Sequence, residues 1–260
     1  MKNDDSGVFK NELCLSKIRQ IWSGRINLLC IEDNKEICQL LCEEFFRSPV
    51  FSVKSVQNIE GAKQAIFSKT LYHCWILDLT LDRHNDGLEL LKLKPHFPYC
   101  IVVSGARSMD DANVAKDAGA FSVHDKGHIF RFASNTLIYE VCGLSVLSFL
   151  LKGKNPTNFE MYRMLIREFV KTPEEWVSNF PITDLTLRRI CLENSFITPK
   201  QFLNLFHALN FALLSDCLSN TTDDFQEISE RVTRSHRDFY IKCSEYVLSR
   251  LDSVYAPLYQ

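Results

Sequence analysis

A small set of polar residues interrupts apolar runs at the points where buried strands should end. "LLCIEDN" ends in Glu32 and Asp33, "WILDLT" carries Asp78, "IVVSGA" carries Ser104, and "FSVHDK" ends in Asp125 and Lys126. Burying an unpaired carboxylate costs several kcal/mol, so Asp78 inside a run of Trp, Ile and Leu demands compensation. In a parallel sheet the carboxyl ends of the strands share one rim, and ligands bind beyond it. On that rim the carboxylates would meet a hydroxyl and an ammonium. Carboxylates crowded together repel unless a cation holds them, and Mg²⁺ suits an oxygen-only site completed by a carbonyl and waters.

The elements needed to build such a rim are legible. "INLLCI" (26–31) is a continuous apolar run, as in a strand covered on both faces, and "NKEICQLLCEEFF" places Ile37, Leu40, Leu41 and Phe45 at helical spacing. "FSVKSV", "HCWILDL", "CIVVS" and "AFSVHD" continue as strands. "NIEGAKQAIFSK", "DGLELLK" and "MDDANVAKDAG" continue as helices, the last stopped by Gly119. Strands alternating with helices predict a flavodoxin-like, doubly wound, five-stranded parallel sheet over residues 25–132. The stretch from Asp78 to Ser104 is short, so the third helix should be clipped. Asp82 and Asp86 in the loop after Asp78 read as turn formers, in keeping with Gly87.

These residues resemble the receiver domain of two-component response regulators. "LLCIEDN" is similar to the acidic pair after the first strand, "ILDLTL…DG" to the phosphoacceptor strand and loop, "VVSGA" to the segment with the small hydroxyl residue, and "AGAFSVHDK" to the late lysine. The resemblance implies that Asp78 is phosphorylated by a sensor histidine kinase or a phosphotransfer protein. It implies that Glu32, Asp33, Asp78 and the main-chain carbonyl of Thr80 hold Mg²⁺, that Ser104 bonds the phosphoryl group, and that Lys126 pairs with Asp78 and then with phosphate. The sequence departs from the family at Val123, where an aromatic residue usually reports phosphorylation, and at Gly127, where proline usually follows the lysine.

Beyond residue 132 the pattern is helical. Residues 1–24 read as a lead segment, 133–155 as a linker helix, and 156–260 as an all-α output domain. The longest greasy stretch, "LIYEVCGLSVLSFLL", falls short of the roughly 20 residues that span a bilayer. It is expected to join the domains, with a homodimer interface as a further role, and no membrane association is expected. The ten cysteines contain no CxxC motif, which suits reduced packing thiols in a cytoplasmic protein. Cys38 and Cys42 stand one helical turn apart, with no His or Asp nearby in sequence to complete a metal site.

The formal net charge is −2, and neither half is a broad basic surface, so nucleic-acid binding would rest on local clusters. "ITDLTLRRICLENSFITPKQFL" carries Arg188 and Arg189 after a turn, and "SHRDFYIKC" with the preceding residues carries Arg234, Arg237 and Lys242. A helix–turn–helix sets such arginines against base edges or phosphates. Residues 157–250 resemble the AraC-type DNA-binding domain, with Phe196 where that family prefers glycine. The expected function is a phosphorylation-controlled DNA-binding transcription regulator and not an enzyme. The alternative is a receiver joined to a helical protein-interaction domain that does not bind DNA.

Overall fold

The computed structural model describes residues 18, 26–83, 86–93, 99–105, 109–130, 134–218 and 234–250. The chain divides into two compact units, one of residues 25–167 and one formed by 168–260 with 1–24. Apart from Ile18, the expected lead segment lies outside the described residues.

The first unit is built on five parallel strands: β1 (Ile26–Ile31), β2 (Phe51–Val56), β3 (Cys74–Leu77), β4 (Cys100–Ser104) and β5 (Ser122–Asp125). Their order is β2-β1-β3-β4-β5. Between them run α1 (Lys35–Arg47), α2 (Ile59–Ile66), α3 (Asp86–Leu93) and α4 (Met109–Asp117), and α5 (Ser134–Leu150) and α6 (Phe159–Arg167) follow. This is the flavodoxin-like doubly wound fold, and α3 is a short eight-residue helix. Strand side chains alternate between faces. Leu29, Ile31, Trp75, Leu77 and Val102 gather with Ala62, Ile66, Leu90, Leu91 and Ala115 in one core. The intervening Leu28, Cys30, Cys74, Ile76, Ile101 and Val103 are buried as well. The near-continuous apolar strands thus reflect a sheet covered on both sides.

The sequence boundary at residue 132 is corrected. Residues 133–155 are not a linker: α5 packs on β3 as a layer of this unit, and Val141, Cys142, Leu144, Leu147 and Leu150 are buried. Two polar groups fasten it. Glu140 Oε2 lies 2.7 Å from His124 Nε2 on β5 and accepts a 2.5 Å hydrogen bond from Ser122 Oγ. Its low amphipathicity follows, since a helix wedged between a sheet and a neighbouring helix has no wide solvent face. Beyond it, Tyr99 Oη donates to the Lys154 carbonyl at 2.6 Å. The guanidinium groups of Arg163 and Arg167 in α6 donate to the Phe121 carbonyl. No described helix is long and apolar enough to cross a membrane.

The second unit is all-helical in its described residues: α7 (Pro173–Ser178), α8 (Asp184–Ser195), α9 (Pro199–Leu218) and α10 (Arg234–Leu248). Thr172 caps α7 by accepting from Glu175 N, and Thr183 caps α8 by accepting from Thr186 N. Phe202, Leu203, Leu205, Phe206, Leu209 and Leu213 are the buried side of α9. His207 packs as one more ring among Phe169, Phe206, Phe239 and Tyr240, with Nε2 2.7 Å from the Val170 carbonyl. α8 ends at Phe196, whose φ of 62° is left-handed.

Candidate functional site

Parallel register brings the strand ends to one rim. Asp78 N donates to the Ile31 carbonyl at 2.9 Å, and Glu32 N donates to the Val56 carbonyl at 3.0 Å. Ser104 pairs with Asp125 across β4 and β5. Each strand therefore hands its next residue to the same edge. Asp125 then caps a single helical turn, Lys126–His128, by accepting from His128 N at 2.9 Å. That turn swings Lys126 over the rim.

Asp78 is the centre of the arrangement and is only 4% exposed. Ser104 Oγ donates to its Oδ1 at 2.6 Å, and Lys126 Nζ donates to its Oδ2 at 2.9 Å. The same ammonium lies 2.7 Å from Glu32 Oε2. One lysine thus serves two buried carboxylates, a pairing with Glu32 that sequence spacing did not reveal. Glu32, Asp33 and Asp78 each offer a carboxylate oxygen within 4.8 Å of the others. Glu32 is buried and Asp33 is exposed, so the cluster has a solvent side. Thr80 lies half-buried two residues beyond Asp78.

The electrostatics follow from burial. Desolvation raises the Glu32 carboxyl from 4.5 to about 7. The bond to Lys126 and its charge pull the value down, while the Asp78 charge pushes it up further. Desolvation also acts against the Lys126 ammonium, but its bonds to Glu32 and Asp78 outweigh that and raise its pKa overall. Glu32 Oε2 is buried and has the ion pair but no hydrogen bond of ordinary geometry. Three clustered carboxylates, only two of them paired with the one ammonium, and an under-satisfied buried oxygen among them fit a hard divalent cation.

The loop after Asp78 is held by its own acids. Asp86 Oδ2 accepts from Arg83 N at 2.8 Å, the local turn bond expected of it, whereas Asp82 Oδ2 accepts from Ile59 N at 3.2 Å and ties the loop to the start of α2. Gly87 matters more than the sequence suggested. Gly87 N donates to the Leu79 carbonyl at 3.1 Å. A Cβ at this position would lie 2.2 Å from the Asp78 carbonyl oxygen and 2.6 Å from Leu79 Cα. Only glycine lets α3 start against the backbone of the central carboxylate.

In the second unit Arg188, Arg189 and Lys242 are exposed. Arg189 Nε is 3.9 Å from Glu193 Oε1 across one helical turn. The side chains of Arg234 and Arg237 lie outside the described residues. α8 also exposes Leu185 at 78% and, at its end, Phe196 at 65%.

No protein-family model matches the sequence, and no curated protein matches it. The chain is similar to solved structures of response regulators, most of them over a little under half of its length. The BeF₃-activated receiver domain of DrrB, from Thermotoga maritima, is 19% identical over 46% of this chain and 97% of its own, with a TM-score of 0.39. The phosphorylated cyanobacterial phytochrome response regulator RcpA is 18% identical over 45% of this chain and 95% of its own, at 0.39. The RcsB response regulator of Salmonella typhimurium, in a structure concerned with DNA interaction, is 18% identical over 87% of this chain and 99% of its own, at 0.37.

Proposed function

We propose that the chain is a response regulator in which Asp78 accepts a phosphoryl group and a helical region delivers the output. The observation that carries this reading is the state of Asp78. A buried carboxylate has each oxygen bonded to a different cationic or hydroxyl group, and two further acids stand within reach of one cation. A structural strand-end aspartate needs none of that.

An Asp78 oxygen attacks phosphorus, and the bond from phosphorus to the donor breaks. With a phosphohistidine of a sensor kinase or phosphotransfer protein, the imidazole leaves with the electron pair. Lys126 orients the nucleophile beforehand and neutralises the incoming phosphoryl oxygens afterwards. Ser104, freed from Oδ1, donates to the phosphoryl group. Glu32, Asp33 and Asp78, with the Thr80 carbonyl, would hold Mg²⁺, which supplies charge neutralisation in the transition state. No hydrolytic or redox chemistry of a small substrate is assigned to the chain, which acts as a cytoplasmic switch and not as an enzyme.

For the output, exposed Arg188, Arg189 and Lys242 support contact with a DNA duplex, with Arg234 and Arg237 as further candidates. A second reading is favoured by Leu185 and Phe196. Large apolar side chains so exposed on the arginine-bearing helix suit a protein partner better than a phosphate backbone.

Incubation with acetyl phosphate and Mg²⁺, followed by intact mass measurement, tests the first part. Wild type should gain a phosphoryl adduct that Asp78→Asn lacks, and an unchanged adduct in the variant refutes the assignment. Selection from random duplexes with phosphorylated protein tests the second. A specific site whose affinity falls steeply with salt, and less steeply in Arg189→Ala, favours DNA; no enrichment favours the protein-binding reading.

A further inference from the structure

Three cysteines converge beneath the acidic rim. Cys30 stands on β1, with its side chain on the face opposite Leu29 and Ile31. Cys38 and Cys42 stand one turn apart on α1, so their side chains share a helix face. The fold closes that face onto β1. Cys30 Sγ and Cys38 Sγ lie 3.1 Å apart, and the three sulfurs all lie within 4.8 Å of one another. Other thiols are buried elsewhere, yet among the described residues no other three cysteines converge in this way.

We propose that Cys30, Cys38 and Cys42 form a three-thiolate site for a thiophilic closed-shell metal ion, Zn²⁺ or Cu⁺. With metal–sulfur bonds of about 2.3 Å, three sulfurs around one ion sit roughly 4 Å apart. Cys30 and Cys38 start at 3.1 Å and all three sulfurs lie within 4.8 Å of one another, so side-chain rotations suffice to seat the ion. Soft sulfur donors without a carboxylate or imidazole select such ions over Mg²⁺. The hard and soft sites can therefore be adjacent and distinct.

Access is built in. Cys38 lines a surface groove of about 420 Å³ with Lys35, Arg47 and Ser55. An ion can enter from the α1 side without opening the sheet. Ser55 lines the same groove as Cys38, and a water entering there would complete an ion that takes four ligands. Glu43 and Arg47, which line the same groove, pair with each other and leave it near neutral.

The full-length reduced protein is titrated anaerobically with Co²⁺ as a spectroscopic probe, then with Zn²⁺ and with Cu⁺ in separate competition arms. Wild type should develop thiolate-to-cobalt charge-transfer absorption at stoichiometric metal, displaced by Zn²⁺ or Cu⁺; whichever displaces at the lower concentration identifies the preferred ion. Cys38→Ser and Cys42→Ser should lose the absorption, and Cys191→Ser, in the other unit, should retain it. Should the cluster variants fail to fold, thiol alkylation mapped by mass spectrometry in wild type decides the matter. Added Zn²⁺ or Cu⁺ must protect Cys30, Cys38 and Cys42 selectively. No metal uptake, uptake unchanged in Cys38→Ser and Cys42→Ser, or protection falling on other cysteines overturns the proposal. So does a reduced protein that binds no ion but cross-links Cys30 to Cys38 in air.

Discussion

Glu32→Gln separates the charge of the acidic rim from its shape. In the metal-free protein the Glu32 carboxyl is raised from 4.5 to about 7, because burial penalises its ion more than Lys126 rewards it. At about 1.4 kcal/mol per pH unit, that displacement corresponds to roughly 3 kcal/mol. Between those two values the folded state holds a proton that the unfolded state has released. Wild-type stability from this group therefore falls as pH rises from about 4.5 to about 7. Glutamine mimics the protonated acid throughout. At pH 5 the two proteins should be close in stability, and by pH 8 the variant should exceed wild type by up to about 3 kcal/mol.

The comparison must be a difference, because a second group acts in the opposite direction. Burial lowers His73 from 6.5 to about 4, so its contribution to stability rises with pH across nearly the same interval. A pH profile of wild type alone would show the two partly cancelling. Subtraction removes His73, and it removes Lys126, which stays protonated in both states between pH 5 and 8. Mg²⁺ should then invert the result. Wild type at pH 8 gains RT ln(1 + [Mg²⁺]/Kd), and the variant, lacking one carboxylate ligand, gains less. The assay is urea denaturation read by hydrogen exchange at β1 and β3 amides, so that opening of this unit alone is measured. A stability gap equal at pH 5 and pH 8 would refute the electrostatic account of Glu32. Equal stabilisation of both proteins by Mg²⁺ would refute its role as a ligand.

Gly87→Ala should slow phosphorylation by acetyl phosphate and cost about 1–3 kcal/mol, since its Cβ meets the Asp78 backbone; intact-mass time courses and urea melts check both effects. Leu147→Glu should lose several kcal/mol or fail to fold, because Leu147 is fully buried within the first unit; a variant with wild-type denaturation would show that α5 does not pack there. Phe196→Gly should gain about 1 kcal/mol by relieving a left-handed backbone, read by urea denaturation, and unchanged or lower stability would mean that Phe196 packing outweighs its strain.

The first unit was legible because its chemistry is tied to strand ends. A parallel sheet forces Glu32, Asp78, Ser104 and Lys126 onto one rim, so topology alone converts sequence positions into neighbours. What escaped were contacts that depend on facing across layers. Lys126 with Glu32 joins the two outermost parts of the motif, and nothing in their spacing distinguishes that pair from Lys126 with Asp78. Cys30 joins Cys38 and Cys42 only because α1 folds back on β1; along the chain it looks like one more small apolar residue in a strand. Gly87 read as a turn glycine, yet its role is to leave room for the Asp78 carbonyl, a distance that no pattern encodes.

The misplaced boundary at residue 132 has a different cause. α5 is greasy on nearly every side, and such a helix is either a span, a linker seeking a partner, or an interior layer. Its length argued against a span, and its position between two patterns suggested a linker. Glu140 held the deciding information. A carboxylate in an apolar helix is affordable only if something nearby satisfies it, and Ser122 and His124 on β5 do so. The helix that follows the fifth strand is thus fixed to that strand two residues from Lys126. Any rearrangement of Lys126 on phosphorylation is mechanically next to the β5–α5 contact and not to Val123 alone. On the function proposed above, a signal from Asp78 would therefore leave through Ser122, His124 and Glu140, without the aromatic residue this sequence lacks.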